Sequence, residues 1–186
     1  MRPIAFVTLT VLVSAIALMA PASGQGTEQA DPVYGITLPS GYRDWPLITV
    51  ARVGAPVNDM RAKLGNDVAI KAFRTGALPF PDGTIIARLA WKQTTSEEDS
   101  QAIGPLLEKQ FGPEVAKKVL SESFVAGSAT NVQFMVKDSK KYASTGGWGF
   151  AQFTDGKSDG EAVLKTCFPC HAPAKDRDFV FTRYAP

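Results

Sequence analysis

The run Phe80-Pro81-Asp82-Gly83-Thr84-Ile85-Ile86-Ala87-Arg88-Leu89-Ala90-Trp91 decides the fold class of this chain. Proline, aspartate and glycine in its first half predict a turn. The second half, Ile85 to Trp91, is apolar and rich enough in strand-forming residues to predict a β-strand. Alternate side chains of a strand share one face of the sheet. The residues predicted to share one face here are Ile86, Arg88, Ala90 and Lys92.

Predicted elements of both kinds flank this strand. β-Branched and aromatic residues mark further strands, and apolar residues at helical spacing mark helices. The predicted strands are residues 47–53, 124–136 and 148–153; the predicted helices are 66–75, 105–121 (interrupted at Gly112-Pro113) and 160–166; residues 94–100 are a predicted loop and 179–184 a final β-prone segment. Because no βαβ rhythm is present, the sequence predicts an α+β fold, an antiparallel β-sheet domain with short flanking helices.

The N-terminal end is typical of an export signal. Arg2 precedes the apolar run Ile4 to Met19, and Ala20-Pro21-Ala22 follows as a cleavage-like motif. A transmembrane anchor is the alternative, but the run is short for a bilayer span. We therefore expect a signal peptide over residues 1–22, cleaved near Ala22 to Gln25. The mature domain over residues 38–186 is then expected to be periplasmic, with no membrane association.

Length and charge limit the classes of function. A chain of 186 residues usually forms one domain. Lysine and arginine number 20 against 18 acidic residues, and no long run of one sign occurs. The sequence therefore gives no indication of a nucleic-acid partner.

The segment Cys167-Phe168-Pro169-Cys170-His171 carries the chemistry. C-x-x-C-H is the attachment pattern of haem c, in which two cysteines bind the porphyrin covalently and the following histidine can ligate iron. A structural disulfide and a dithiol redox centre also use two cysteines at this spacing. A zinc site needs about four ligands, whereas the chain has two cysteines and one histidine. Together with the export signal, the pattern predicts covalently attached haem c, held by Cys167 and Cys170 with His171 as the metal ligand.

The chain has a single histidine, which limits the possible ligands on the opposite side of the iron. His171 cannot serve both axial positions, and no methionine follows it. This favours an open or weakly occupied sixth position, which binds small gaseous or nitrogen-oxide ligands such as nitric oxide or hydroxylamine. The alternative is a simple electron-transfer cytochrome in which Met60 or Met135 is the sixth ligand.

Several stretches in order give the chain a resemblance to a known family. The C-terminal motif is followed by Phe179-Val180-Phe181-Thr182-Arg183, and the upstream stretches are Tyr42-Arg43-Asp44-Trp45, Asp82-Gly83-Thr84 and Val136-Lys137-Asp138-Ser139-Lys140. With these the chain resembles the cytochrome P-460 and cytochrome c′-beta family over residues 42–184. The resemblance implies a mostly antiparallel β-fold, commonly a homodimer, with a five-coordinate haem c. A redox partner cytochrome is a further expected partner.

Two positions bear on which branch of that family the chain is closer to. The cytochrome P-460 branch cross-links a lysine to the porphyrin and oxidises hydroxylamine, whereas the cytochrome c′-beta branch lacks that bond and binds nitric oxide or related gases. The position of the lysine corresponds to Arg88, which is a poor nucleophile, and Lys92 lies four residues further on. The acidic residue of the hydroxylamine-oxidising branch corresponds to Gln133, which cannot take up a proton at neutral pH. The resemblance thus favours the branch without the cross-link.

Two of these residues are also candidates for catalysis. The alternative function is a hydroxylamine oxidoreductase or a peroxidase, with Arg88 and Gln133 as candidate catalytic residues. Arg88 and Lys92 are in addition candidate cofactor-binding residues. Arg88 has two interpretations: a distal cation that stabilises a bound anion, or a partner of a haem propionate or another carboxylate.

Overall fold

The computed structural model describes residues 30–185, which build one six-stranded antiparallel sheet with its strands in chain order. The strands are β1 (Leu47–Val53), β2 (Asp59–Gly65), β3 (Ile85–Thr94), β4 (Val125–Lys137), β5 (Trp148–Thr154) and β6 (Lys157–Ser158). The helices are α1 (Asp67–Thr75), α2 (Glu97–Phe111), α3 (Pro113–Ser121), α4 (Glu161–Leu164) and α5 (Cys167–His171), with 3₁₀ turns at Tyr42–Asp44, Ala143–Thr145 and Ala172–Arg177. The predicted α+β fold is therefore confirmed.

The predicted signal peptide, residues 1–22 with cleavage near Ala22 to Gln25, lies outside the described residues. No helix among residues 30–185 combines the length and the apolar character that crossing a bilayer requires.

One face of the sheet carries a core of aromatic and aliphatic side chains. Alternation along β3 and β4 sends Leu89 and Phe134 to this face, where the N-terminal segment covers them. Tyr42 and Phe134 pack edge to face with their ring centroids 5.2 Å apart. The remaining buried members of this core are Ile36, Leu64, Ala87, Val132, Tyr142, Ala151 and Phe153.

The opposite face is covered by α1 and by the C-terminal segment. Asn66 begins α1, since its Oδ1 accepts hydrogen bonds from the backbone amides of Ala69 and Ile85 at 3.0 and 3.1 Å. Its Nδ2 donates to the Gly83 carbonyl at 2.8 Å, so the helix start is tied to the turn before β3. Gly76, with φ of 67°, ends the helix in the left-handed conformation that glycine tolerates best. A second core lies beneath: Ile48, Ala69, Ile70, Ala72, Phe80, Ile86, Trp148, Phe150 and Val180.

Two sequence expectations need correction, and one strand was not predicted. Strand β2 was not predicted, because charged side chains occupy alternate positions where a core-facing strand would carry apolar ones. Helix α2 begins at Glu97, inside the predicted loop, because Ser96 caps it through the Asp99 amide at 3.1 Å. The β-prone segment 179–184 forms no strand, since Asp178 and Phe179 have positive φ values of 53° and 64° that take the chain out of extended geometry.

Candidate haem site

The C-x-x-C-H motif forms a short helix of its own. Helix α5 holds both cysteines three positions apart on one turn, followed directly by His171. Cys167 is half-buried and Cys170 exposed, and the two thiols are free within the described structure. Burial, followed by the neighbouring Cys170 and Asp31, raises the pKa of the Cys167 thiol above its usual value. Cys167 and Cys170 both line the same cavity.

The His171 ring is held by a backbone carbonyl and two aromatic rings. Its Nδ1 lies 2.8 Å from the Phe179 carbonyl oxygen. Because a carbonyl oxygen only accepts, Nδ1 carries the proton and Nε2 keeps its lone pair. The ring centroid lies 5.1 Å from that of Phe150 and 5.5 Å from that of Phe181. Burial lowers the pKa of His171, partly offset by the bond to Phe179, so the neutral form suited to a metal is favoured.

A buried ion pair fixes the segment that carries the Phe179 carbonyl. Lys137 of β4 reaches Asp178 with Nζ 2.7 Å from Oδ1, and both side chains are at least nine-tenths buried. Asp178 also accepts from the Phe80 amide at 2.8 Å, and Lys137 also donates to the Gly146 carbonyl at 3.1 Å. Asp178, which precedes Phe179, is thus tied both to β4 and to the segment before β3.

The motif closes one side of a cavity of about 460 Å³. The other side is the sheet, where side chains in register form two rows across adjacent strands. The apolar row contains Ile86, Met135 and Phe150, and the polar row contains Lys63, Arg88, Gln133 and Gln152. Since neighbouring strands lie about 4.8 Å apart, each row spans some 10–15 Å.

Cations dominate the β2–β3 end of the cavity. Arg88 donates from its two terminal nitrogens to Asp59 at 2.5 Å and to Asn131 at 3.1 Å, and Arg61 pairs with the same Asp59 at 2.8 Å. Asp59 therefore pairs with both arginines, and Lys63 is a third basic side chain that lines this end of the cavity. Burial, followed by the repulsion of Arg61, lowers the pKa of Arg88. Burial and both arginines lower the pKa of Lys63 in the same way.

A hydrogen-bonded chain of amides lies at the other end of the polar row. Gln133 donates through Nε2 to Oε1 of Gln152, which donates through its own Nε2 to the Asp159 carboxylate. Thr154 adds a second donor to that carboxylate at 3.2 Å. The orientation of both amides is therefore linked to a carboxylate outside the strands.

The structure brings most of the residues singled out in the sequence into one place. Cys167, Cys170, His171, Arg88 and Gln133 all line the cavity. Lys92, the fourth residue after Arg88, is exposed, lies opposite Asp59 in the β2–β3 ladder and is outside the cavity lining. The assignment of Lys92 to the cofactor is therefore corrected: the basic side chains that line the cavity are Arg88 of β3 and Arg61 and Lys63 of β2.

Strand β2 contributes two cavity residues that were not predicted from the sequence. Arg61 and Lys63 line the cavity because they alternate with Met60, Ala62 and Leu64 along the strand. That alternation was the signal that could have revealed both the strand and its charged face. Of the two candidate sixth ligands, Met135 lines the cavity, whereas Met60 lies opposite Trp91 in the β2–β3 ladder and outside the lining.

These residues fit haem c. The cavity offers two free thiols three positions apart, an imidazole with a free Nε2, an apolar row for a flat ring and basic side chains for carboxylates. Among the described residues no group of three histidine, cysteine or acidic side chains is placed to hold a bare metal ion. Fold and site together define a haem-c domain on an antiparallel sheet.

Comparison with known proteins agrees. The sequence model of the cytochrome P460 family matches residues 39–182. The chain therefore belongs to the cytochrome P460 family, whose members carry covalently attached haem c. No curated protein sequence matches the chain at a significant level.

Proposed function

We propose that this protein is an exported mono-haem c-type cytochrome that binds or processes small nitrogen oxides, nitric oxide and hydroxylamine being the candidates. Cys167 and Cys170 would hold the haem through thioether bonds, and Nε2 of His171 would bind its iron. The observation that carries the proposal is the 2.8 Å hydrogen bond from His171 Nδ1 to the Phe179 carbonyl, which leaves Nε2 as the free donor atom. Haem c, once bound, supplies an iron that changes its redox state and accepts a small ligand.

The side chains of the polar row support an open sixth position. His171 is the only histidine of the chain. The polar row of the sheet presents Arg88, Gln133 and Gln152 to the cavity, and an arginine or a glutamine is not a strong iron ligand. Arg88 is in addition held by Asp59 and Asn131, which keeps its guanidinium on the strand wall.

The chain is proposed to lie closer to the branch without the lysine cross-link. Arg88 occupies the position at which the resemblance implies the lysine, and its charged guanidinium is a poor nucleophile. Lys63 is the amine that lines the cavity, and Lys92 is exposed outside the lining. Proteolysis of the matured protein is therefore expected to release the peptides of Lys63 and Lys92 with unmodified masses. A haem adduct on either peptide would place the chain with the cross-linked branch.

A second candidate, a simple electron carrier, is favoured by one observation. Met135 lies in the apolar row between Ile86 and Phe150, so its side chain lines the same cavity as His171. A methionine sixth ligand would make the iron low-spin and favour electron transfer over ligand binding. Met60, outside the cavity lining, gives a matched control for this alternative.

Spectra of the matured protein decide between these functions. We expect the reduced protein to be high-spin and to change its Soret spectrum when nitric oxide is added. Met135→Leu and Met60→Leu should both leave the resting spectrum as it is. A reduced protein that is low-spin and unaffected by nitric oxide, and that becomes high-spin only in Met135→Leu, would establish the electron carrier instead.

Enzymatic turnover is the third candidate, tested in the same preparation. Gln133 stands where a carboxylate would act as proton acceptor, so we expect little oxidation of hydroxylamine with an electron acceptor. Gln133→Glu should raise that turnover if proton transfer is the missing element, with Gln101→Glu on the exposed face of α2 as control.

The mature N-terminus of the same protein is expected between Ala22 and Gln25, as periplasmic export requires. A homodimer and a redox partner cytochrome are the partners we propose.

A further inference from the structure

A helical arm connects β3 to β4 and packs mainly on itself. The arm is residues 94–125: the pair Thr94–Val125 closes the β3–β4 ladder at its base, and α2 and α3 form a hairpin beyond that pair. Gly104 and Ala116 are the buried residues of the two helices, and the Leu120 side chain packs against Gly104. All other side chains of the arm are exposed or half-buried.

The two helices of the arm have weak local support. Helix α2 carries Gly104 and Pro105 in its interior, and glycine and proline have the lowest helix propensities. Helix α3 has nine residues, and isolated helices shorter than about 12–15 residues are marginal in water. Their stability must therefore come from the packing of apolar side chains, and within residues 30–185 that packing buries only one glycine and one alanine of the arm.

The apolar side chains that could supply such packing face solvent. Ile103, Leu106 and Phe111 of α2 are 45%, 59% and 52% exposed, and Val115 and Val119 of α3 are 48% and 40% exposed. Residues three or four positions apart share a helix face, so each helix presents a continuous apolar stripe. A contiguous apolar surface of this kind marks a site of contact with another molecule.

Charge indicates what covers the arm. Residues 94–125 carry six acidic side chains against three lysines, whereas the rest of the described chain carries 16 basic against 11 acidic side chains. An acidic arm is repelled by anionic lipid headgroups and attracted by a basic protein surface. The sheet domain of a second copy of this chain is such a surface.

The size of the arm suits a contact between two copies. A helix of 15 residues is about 22 Å long, and two helices side by side are about 20 Å wide, so one face of the arm offers on the order of 400 Å². In a two-fold dimer each copy gives one arm and receives one. The two equivalent contacts then bury on the order of 800 Å² of each copy, the usual size of a stable protein interface.

We propose that the helical arm of one copy packs on the sheet domain of a second copy, and that the two copies exchange arms about a two-fold axis. This assigns a surface to the homodimer that stands among the proposed partners. It goes beyond the proposed haem chemistry and does not depend on it.

Sedimentation velocity of the matured protein over a range of concentrations measures the contact. We expect a dimer. Leu106→Lys puts an unpaired charge into the apolar contact and should weaken dimerisation by roughly 50-fold or more. Gln101→Lys adds the same charge about 200° round α2 from Ile103, so dimerisation should stay within about three-fold of wild type. Both positions are exposed in the single copy, so circular dichroism and the Soret spectrum should match the wild-type protein in both variants.

Two further measurements locate the receiving surface. Raising the salt concentration should weaken the dimer several-fold, because screening reduces the attraction between the acidic arm and the basic sheet domain. A carbodiimide joins a carboxylate to an amine without a spacer. Applied to a mixture of unlabelled and nitrogen-15-labelled copies, it should join carboxylates of residues 94–125 in one copy to lysines outside the arm in the other.

Three results would overturn the exchange of arms. The first is a wild-type protein that is monomeric, including one that sediments with vesicles of phosphatidylcholine and phosphatidylglycerol. The second is a dimer that Leu106→Lys leaves intact. The third is a dimer that salt strengthens and whose cross-links join only one arm to the other. The response of the Soret band to nitric oxide is recorded on the same preparations, and its absence would count against the proposed function alone.

Discussion

Cys170→Ala is expected to yield a protein that holds its haem through one thioether or fails to retain it. Each thioether forms when a cysteine S–H adds across a vinyl double bond, so the loss of one sulfur leaves one vinyl group intact. The pyridine haemochrome band of the variant should therefore shift to longer wavelength, and the yield of haem-containing protein should fall several-fold. Denaturation in acidified organic solvent should show whether the remaining bond holds.

The chain supplies a matched control inside the same motif. Pro169 is exposed between the two cysteines and has no sulfur, and alanine at that position suits the short helix α5. Pro169→Ala should retain the haemochrome spectrum of the wild-type protein. A Cys170→Ala variant with the unchanged two-point spectrum would contradict the assignment of this sulfur.

Asp178→Ala is expected to cost about 3–5 kcal/mol of unfolding free energy, because it leaves the buried ammonium group of Lys137 without its partner. It also removes the acceptor of the Phe80 amide and puts alanine at a φ of 53°. For a domain of this size the loss corresponds to a fall in Tm of roughly 10 °C. Thermal unfolding followed by circular dichroism measures it.

Two further variants separate the effect of losing the ion pair from the effect of placing alanine in left-handed backbone geometry. Asp178→Asn keeps an acceptor and a residue that tolerates left-handed geometry, so it should recover part of the loss but not the ion pair. Asp176→Ala, an exposed position two residues earlier, should change Tm by no more than a degree or two. Equal stability of Asp178→Ala and Asp176→Ala would show that the ion pair contributes nothing.

The same ion pair has a consequence at the haem. Asp178 precedes the residue whose carbonyl accepts from His171 Nδ1. A looser Phe179 carbonyl would make the imidazole a weaker electron donor, and the reduction potential should rise. A potential that stays constant in Asp178→Asn while Tm falls would confine the ion pair to a structural role.

Local signals were enough to predict much of the sheet. The strand at Ile85 and the helix that Gly76 ends were predicted because turn residues, caps and apolar periodicity are properties of short stretches. Strand β2 was missed because its face toward the cavity is charged, and a charged face on a strand is explained only by what lies opposite. The C-terminal segment was mistaken for a strand because its apolar residues serve the haem site through the left-handed turn at Asp178 and Phe179.

The candidate site likewise contains residues that short sequence patterns predict and residues that they do not. The spacing of Cys167, Cys170 and His171 is local, so the sequence alone indicated haem attachment. The register that sets Arg88 beside Gln133 and brings Lys63 into the cavity depends on which strands are neighbours, and no short motif records it. Lys92 was a candidate because it shares a strand face with Arg88. Residues four apart on a strand are separated by about 13 Å along its axis, which leaves Lys92 outside the cavity lining.

The intact mass of the matured chain under denaturing conditions tests the central claim most directly. The expected mass is that of the signal-cleaved polypeptide plus one haem, with no thiol left to react with an alkylating reagent. A colourless protein of polypeptide mass alone, with Cys167 and Cys170 either joined in a disulfide or both open to alkylation, would contradict it.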